Sequence, residues 1–412
     1  MGSISGISKI TGFFSVSHIC AGFVAVLVGY TSAAVIIFQA AEAGGASSAQ
    51  ISSWLWALGI GMGLSSIALS LYFRAPILTA WSTPGAALLV TALSSASLNE
   101  ATGIFIFSSS LILLCGISGW FEKIMRHVPE SLAGGMLAGV LLPFGLDIFK
   151  VLTDECLLVA SMLAVYMLFK HALPRYVIPL VLLTGGCAAF FQGLLQLDNL
   201  RWQLSIPVWV MPDFNFQQLI GIGIPLFIVT MASQNVPGIA ALRANGYQTP
   251  VSPLIATTGV TGVVLAPFGG FAFNLAAITA AICQGKEAGV DPDKRYLATV
   301  WAGGFYLLTG VFGASVVALF AAFPSELVMA LAGLALLGTI GHSLSSSLAE
   351  QKGREAVLLT FLVTASGMNL AGIGSAFWGL AIGLLAYHLQ NLFTLHSKKS
   401  AAQSKVAGKY SS

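Results

Sequence analysis

The chain alternates between long apolar runs and short breaks that are charged or rich in Pro, Gly and Asn. In order, the runs predict helical spans over 14–38, 51–72, 76–96, 101–120, 131–149, 155–170, 176–192, 217–241, 251–267, 270–284, 296–322, 326–345, 355–371 and 373–394. The third and the tenth are the awkward members, because each is interrupted by Pro, Gly and polar residues. The first run continues from Phe13 to Phe38, which is too long for the apolar region of a cleavable leader, so it reads as a span. The pattern predicts an all-α polytopic membrane protein with fourteen transmembrane spans.

Composition agrees. The 412 residues are 57% hydrophobic and 8% charged, whereas a soluble domain carries about 25% charged residues. Charge placement tests the span count. With the N-terminus in the cytoplasm, alternation puts sixteen Lys and Arg residues inside and only Lys150 and Arg201 outside. Removing one span would throw the downstream positives to the wrong side. Both termini are therefore expected in the cytoplasm of a bacterial cell, with the inner-membrane bilayer as surroundings. The five cysteines (Cys20, Cys115, Cys156, Cys187, Cys283) are scattered singly, which gives no metal, redox or disulfide motif. No cofactor, metal site or nucleic-acid patch is expected. No paired His or Cys within the spans supports a membrane enzyme.

The runs contain an internal repeat. "LLCGISG" at 113–119 returns as "LLTGVFG" at 307–313. "VPESLAGGMLAG" from Val128 returns as "FPSELVMALAG" from Phe323, at offsets of 194 and 195 residues. Seven spans separate the copies, so they face opposite ways, the inverted pattern of secondary transporters. The expected divisions are a first seven-span repeat over 1–192, a periplasmic connector over 193–216, an inverted repeat over 217–394 and a cytoplasmic tail over 395–412. The glycines of "GIGMG" at 59–63 suit close helix packing.

Spans 3 and 10 occupy equivalent places in the halves. Span 3 opens with "APILTAW" (75–81) and continues "STPGAALLVTAL"; span 10 opens with "PFGGFAF" (267–273) and continues "NLAAITAAICQG". A helix of about ten residues covers ~15 Å, half of a ~30 Å hydrocarbon core, and seven extended residues add roughly 23 Å. Each span is thus expected to be half extended and half helical, with the extended halves buried against each other. Ser82 or Thr83 would cap the first half-helix and Asn274 the second, and "VT" at 90–91 would match "IT" at 278–279. Two helix N-termini facing at the midplane form an anion site without any buried Lys or Arg. Gly85 would let backbone approach the ligand. Span 8 adds Ser233, Gln234 and Asn235 just before Pro237, and span 1 adds Tyr30 and Thr31. No carboxylate lies at mid-depth in these spans. Proton coupling would fall to Glu130, Asp147 or the carboxyl group of the substrate, and His342 reads as interfacial.

The stretches "TAWSTPGAALLVTAL", "VTMASQNVPGIAALRANGY", "PVSPLIATTG", "AAITAAICQG", "LAGLALLGTIG" and "FLVTASGMNLAGIGSAFWGL" resemble the benzoate:proton symporters of the BenE type over nearly the whole chain. The layout is more distantly similar to nucleobase transporters and sulfate permeases. The resemblance implies a seven-plus-seven fold in which spans 1–4 and 8–11 form a core and spans 5–7 and 12–14 a gate, with substrate between spans 3 and 10 against span 8. It implies a small aromatic carboxylate and protons as the transported partners, and a possible homodimer. Nucleobase carriers place acidic residues where this chain has Phe271 and the neutral Ser233-Gln234-Asn235. That departure favours a flat apolar anion, with Phe271 and Phe273 packing the ring. The alternatives are a proton-coupled carrier of nucleobases or other small organic anions, and an anion channel.

Overall fold

The computed structural model describes residues 15–119, 129–174, 176–196, 202–349, 351, 353–370 and 373–390. The expected tail lies outside them. Every predicted run contains a helix. The first eight are α1 (Val16–Ala43), α2 (Ser48–Phe73), α3 (Thr83–Ala92), α4 (Leu98–Ser118), α5 (Glu130–Asp154), α6 (Cys156–Phe169), α7 (Val177–Phe191) and α8 (Phe216–Arg243). They continue as α9 (Val251–Leu265), α10 (Ile278–Gln284), α11 (Tyr296–Val311), α12 (Gly313–Ala322), α13 (Ser325–Ala349), α14 (Arg354–Ala365) and α15 (375–390). Among the described residues, seven helices are long and apolar enough to cross a membrane, and α11 with α12 forms one further crossing if the bent pair is a single span.

Local chemistry sets the helix ends. Capping boxes open α2, through Ser47 and Gln50, and α4, through Ser97 and Glu100. Two runs differ from expectation. The run over 296–322 bends by 66° between α11 and α12. The helix expected to reach 371 stops at Ala365; Gly367 turns at φ 64° and a short hairpin pairs β3 (Asn369–Leu370) with β4 (Ile373–Gly374). The left-handed turn ends the helix there, as glycine permits.

Helix α8 contains two π-helical turns, Leu219–Gly223 and Met231–Asn235, each just upstream of a proline, Pro225 and Pro237. Proline has no N–H and crowds the carbonyl four residues back, so the preceding turn widens.

The packing obeys the internal symmetry. Helix α2 lies along α11, and its repeat counterpart α9 lies along α4; α5 lies along its own counterpart α13. Glycines bring backbones together in both crossings. A Cβ on Gly59 would sit 2.5 Å from Gly310 Cα, and one on Gly259 2.5 Å from the backbone nitrogen of Leu113. The "GIGMG" stretch is therefore a packing face.

The interrupted runs hold the centre. In β1 (Thr79–Ala80) and β2 (Asn274–Leu275) the extended segments pair antiparallel, Thr79 opposite Leu275 and Ala80 opposite Asn274. Extended backbone inside a membrane protein must be satisfied by protein groups, and here serines and an asparagine do it. Ser66 Oγ accepts from the Thr79 N–H at 2.9 Å, Ser70 Oγ donates to the Ile77 carbonyl at 2.9 Å, and Asn235 Oδ1 accepts from the Leu275 N–H at 2.9 Å.

The strands begin at Thr79 and Asn274 and the half-helices at Thr83 and Ile278, both separated by 195 residues. This register corrects two expectations. "VT" at 90–91 does not match "IT" at 278–279, because Thr91 is near the C-terminal end of α3 and Thr279 is in the first turn of α10. Asn274 is not a helix cap. It is the counterpart of Thr79 within the strand pair, and Ala277 precedes α10 without any side-chain cap.

Candidate functional site

A cavity of about 200 Å³ lies where the two half-helices begin. Its walls are contributed by the start of α3 (Trp81, Thr83, Pro84), the start of α10 (Ala276, Ala277, Thr279), α8 (Gln234), α1 (Val28, Gly29), α11 (Tyr306) and α13 (Ala335, Leu336, Thr339). The first turns of both half-helices open onto it, and a helix start carries partial positive charge and unpaired N–H groups. Ser82 caps α3 by accepting from the Gly85 N–H at 3.0 Å. Among the described lining residues none is charged; the polar side chains are Thr83, Gln234, Thr279 and Thr339, with Trp81 and Tyr306 as aromatic surfaces. Tyr30 stands behind them, its ring edge-on to Trp81 at 4.8 Å and 6.1 Å from Tyr306.

Of the residues singled out from sequence, Thr83 and Gln234 line this cavity. Ser82 is fully buried as the α3 cap. Ser233 lines the neighbouring vestibule, its hydroxyl donating back to the Val229 carbonyl. The side chain of Thr31 lies outside the described residues. The others sit elsewhere for identifiable reasons. Asn235 is fully buried, donates to Met231 Sδ at 3.1 Å and clamps β2, so its amide is consumed in holding the strand. A Cβ on Gly85 would meet Leu226 Cδ1 and Ser82 Oγ at 2.8 Å each, so the missing side chain makes room for α8 and the cap rather than for a ligand. Phe271 is buried between Trp54 and Phe105, at 5.7 and 5.3 Å, and Phe273 packs where Gly61 leaves space. Asn274 is buried and its Nδ2 donates to the Ala272 carbonyl at 3.1 Å. Asp147 forms an exposed ion pair with Lys150 at 2.8 Å.

Trp81, Tyr306, Thr279 and Thr339 also line the cavity, although sequence did not single them out. Trp81 directly precedes the Ser82 cap, and an aromatic at the mouth of a broken span was the available signal. Tyr306 and Thr339 lie in otherwise ordinary apolar runs, and only packing brings them here.

A second cavity of about 530 Å³ adjoins the first, sharing Pro84, Gln234, Ala277 and Thr339 as common walls. It runs between α5, α8 and α13 to a mouth at Glu130, His342 and Ser346. On the opposite side, a crevice of about 220 Å³ lies between the C-terminal end of α3, α5, α8 and the α14–α15 hairpin, and shares no lining residue with the central cavity. One more contact network fixes the broken spans. Gln284, at the end of α10, donates from Nε2 to the Pro76 carbonyl at 3.3 Å and accepts from Asn245 Nδ2 at 3.2 Å, while Arg295 Nη1 donates to the Gln284 carbonyl at 2.9 Å.

Paired broken spans surround a central cavity that shares walls with one vestibule and no lining residue with the opposite crevice, an arrangement that fits a membrane transporter. Solved structures agree. The transmembrane domain of the cyanobacterial bicarbonate transporter BicA superposes with a TM-score of 0.61 at 12% identity, covering 90% of this chain and 97% of that one. SLC26A9 superposes with a TM-score of 0.60 at 13% identity, covering 96% and 70%. The chain thus has the seven-plus-seven inverted-repeat fold of those transporters. It belongs to the benzoate membrane transport protein family (BenE), which matches residues 12–389. It is 51% identical over 372 residues to the inner membrane protein YdcO of Escherichia coli K12, covering 90% of this chain and 95% of that one. It is 42% identical over 376 residues to the benzoate membrane transport protein of Acinetobacter baylyi, covering 91% and 95%. The chain is a multi-pass inner-membrane transporter.

Proposed function

We propose that this transporter imports benzoate, or a closely related aromatic carboxylate, together with protons by alternating access. The observation that carries the reading is the make-up of the central cavity: Trp81 and Tyr306 beside two half-helix starts, with neutral polar side chains and none charged among the described lining residues. A volume of about 200 Å³ falls below the ~300–1,000 Å³ of pockets for drug-sized ligands and suits a single ring. The aromatic faces take the ring, and the starts of α3 and α10, with Thr83, Gln234 and Thr279, take the carboxyl group. A nucleobase would present imide N–H donors to a cavity with no carboxylate to accept them. The A. baylyi relative's name supports the substrate class.

Spans 1–4 and 8–11 act as a core that carries the cavity, and spans 5–7 and 12–14 as a gate. The excess of Lys and Arg on one side supports cytoplasmic termini, which makes the Glu130–His342 vestibule cytoplasmic and the conformation inward-open. Counterflow in proteoliposomes tests the reading. Labelled benzoate should exchange with unlabelled benzoate and not with uracil or succinate, and an inward proton gradient should drive accumulation that a protonophore collapses. Exchange that prefers uracil or a dicarboxylate, or accumulation that follows sodium, would overturn it.

A further inference from the structure

The vestibule contains a feature that transport of the acid does not itself require. On α13, Thr339, His342, Ser343 and Ser346 recur at helical spacing and line one wall from the throat to the mouth. Across the gap stand Ala133, Gly134 and Leu137 of α5 and Ser233, Val236 and Pro237 of α8. Glu130 and His342 are the titratable side chains among the described lining residues, and both are exposed.

The other charged groups on neighbouring elements, including Arg243 in the last turn of α8 and Glu326 in the first turn of α13, do not line the vestibule. Helix α5 also carries Asp147 and Lys150, paired with each other, and Asp154 in its last turn. Arg354, at the start of α14, donates from Nε to the Leu348 carbonyl at 2.9 Å, and Glu355 accepts from Gln390 at 2.9 Å. His18 and Glu42 lie near the two ends of α1, and α6 and α7 contribute only Cys156, Tyr166 and Cys187.

We propose that His342 is a cytoplasmic proton-sensing site that holds the vestibule open when it is protonated, so that acid inside the cell arrests the carrier. The inference rests on the alternating-access reading above. To return outward the vestibule must close, bringing His342 out of water against Leu137, Val236 and Pro237. Removing an imidazolium from water is costly, and a neutral imidazole closes at far lower cost. Glu130 stands at the same mouth of the open vestibule. Imidazole is the side chain whose ordinary charge change falls between about pH 5 and 8, the range a cytoplasm crosses as it loads a weak acid. The sign follows: arrest is present at low internal pH and relieved as internal pH rises.

The experiment is benzoate counterflow in proteoliposomes at equal internal and external pH, stepped from alkaline to acid. The parent should exchange well at alkaline pH and lose about tenfold towards acid. His342→Gln should keep the alkaline rate within about twofold and lose the acid arrest, whereas His342→Lys, which carries its charge throughout, should be slow at every pH. Parent exchange that is flat with pH, acid arrest that persists in His342→Gln, or exchange by His342→Lys at the parent rate would each overturn the proposal. Absence of benzoate counterflow in the parent at alkaline pH would instead fail the transport reading.

Discussion

Adjacent residues in α8 divide the work. Gln234 lines the cavity, while Asn235 has its amide inside the protein holding the Leu275 N–H. Gln234→Ala is therefore expected to weaken benzoate binding by roughly tenfold, since a hydrogen bond to a charged group is worth ~1.5–3 kcal/mol, with an unchanged melting temperature in detergent. Asn235→Ala should do the reverse. It orphans a buried N–H at a cost of ~1–3 kcal/mol and should lower the melting temperature first. Equal behaviour of the two variants would contradict this division. Trp81→Leu should raise the dissociation constant several-fold, because an aromatic pair adds ~0.5–1.5 kcal/mol beyond its area; isothermal titration with benzoate reads this directly. Gly85→Val is expected to abolish the folded protein rather than binding alone, because its side chain would drive into Leu226 and the Ser82 cap.

The broken spans work only as a pair. Neither strand is long enough to be stable by itself, and each is held by side chains of other helices: Ser66 and Ser70 of α2 on one side, Asn235 of α8 on the other. The Gln284 amide joins the far ends, linking α10, the start of span 3 and the end of α8 through Pro76 and Asn245. Gln284→Leu should leave the Pro76 carbonyl and the Asn245 amide without this partner, costing ~1–3 kcal/mol. It should also misalign α3 and α10, so that counterflow falls more steeply than the folded fraction measured by size-exclusion chromatography. Gln284→Glu keeps the acceptor for Asn245 but loses the donor to Pro76, and an intermediate loss is expected.

The central cavity of the whole molecule shares four lining residues with one vestibule and none with the opposite crevice. Alternating access predicts reciprocal exposure. With the exposed Cys20, Cys156 and Cys187 replaced by Ser, Ser346→Cys should react with a membrane-impermeant thiol reagent from the cytoplasmic face and Thr91→Cys from the outer face. Benzoate should change the two rates in opposite directions. Both sites reacting from one face would contradict the assigned orientation.

The sequence alone determined the membrane class, the inverted repeat and the interruption of spans 3 and 10, and its Lys and Arg placement supplied the proposed orientation. Those properties follow from local quantities: apolar run length, Lys and Arg placement, and residues such as Pro84 and Gly269 that stop a helix. It also reached the pairing of the two extended segments, because backbone polar groups in a membrane have few other partners. Only the tertiary structure decided which side chains line the central cavity. Phe271 and Asn274 carry suitable chemistry but are spent on core packing and on the strand, while Trp81, Tyr306 and Thr339 are brought together from distant spans. Where helix 10 starts was likewise decided by pairing. Asn274 has the side chain of a cap, yet β2 continues to Leu275 because Asn235 and Leu78 hold that stretch extended. A side chain's neighbours across helices are fixed by packing register, which the local sequence does not encode.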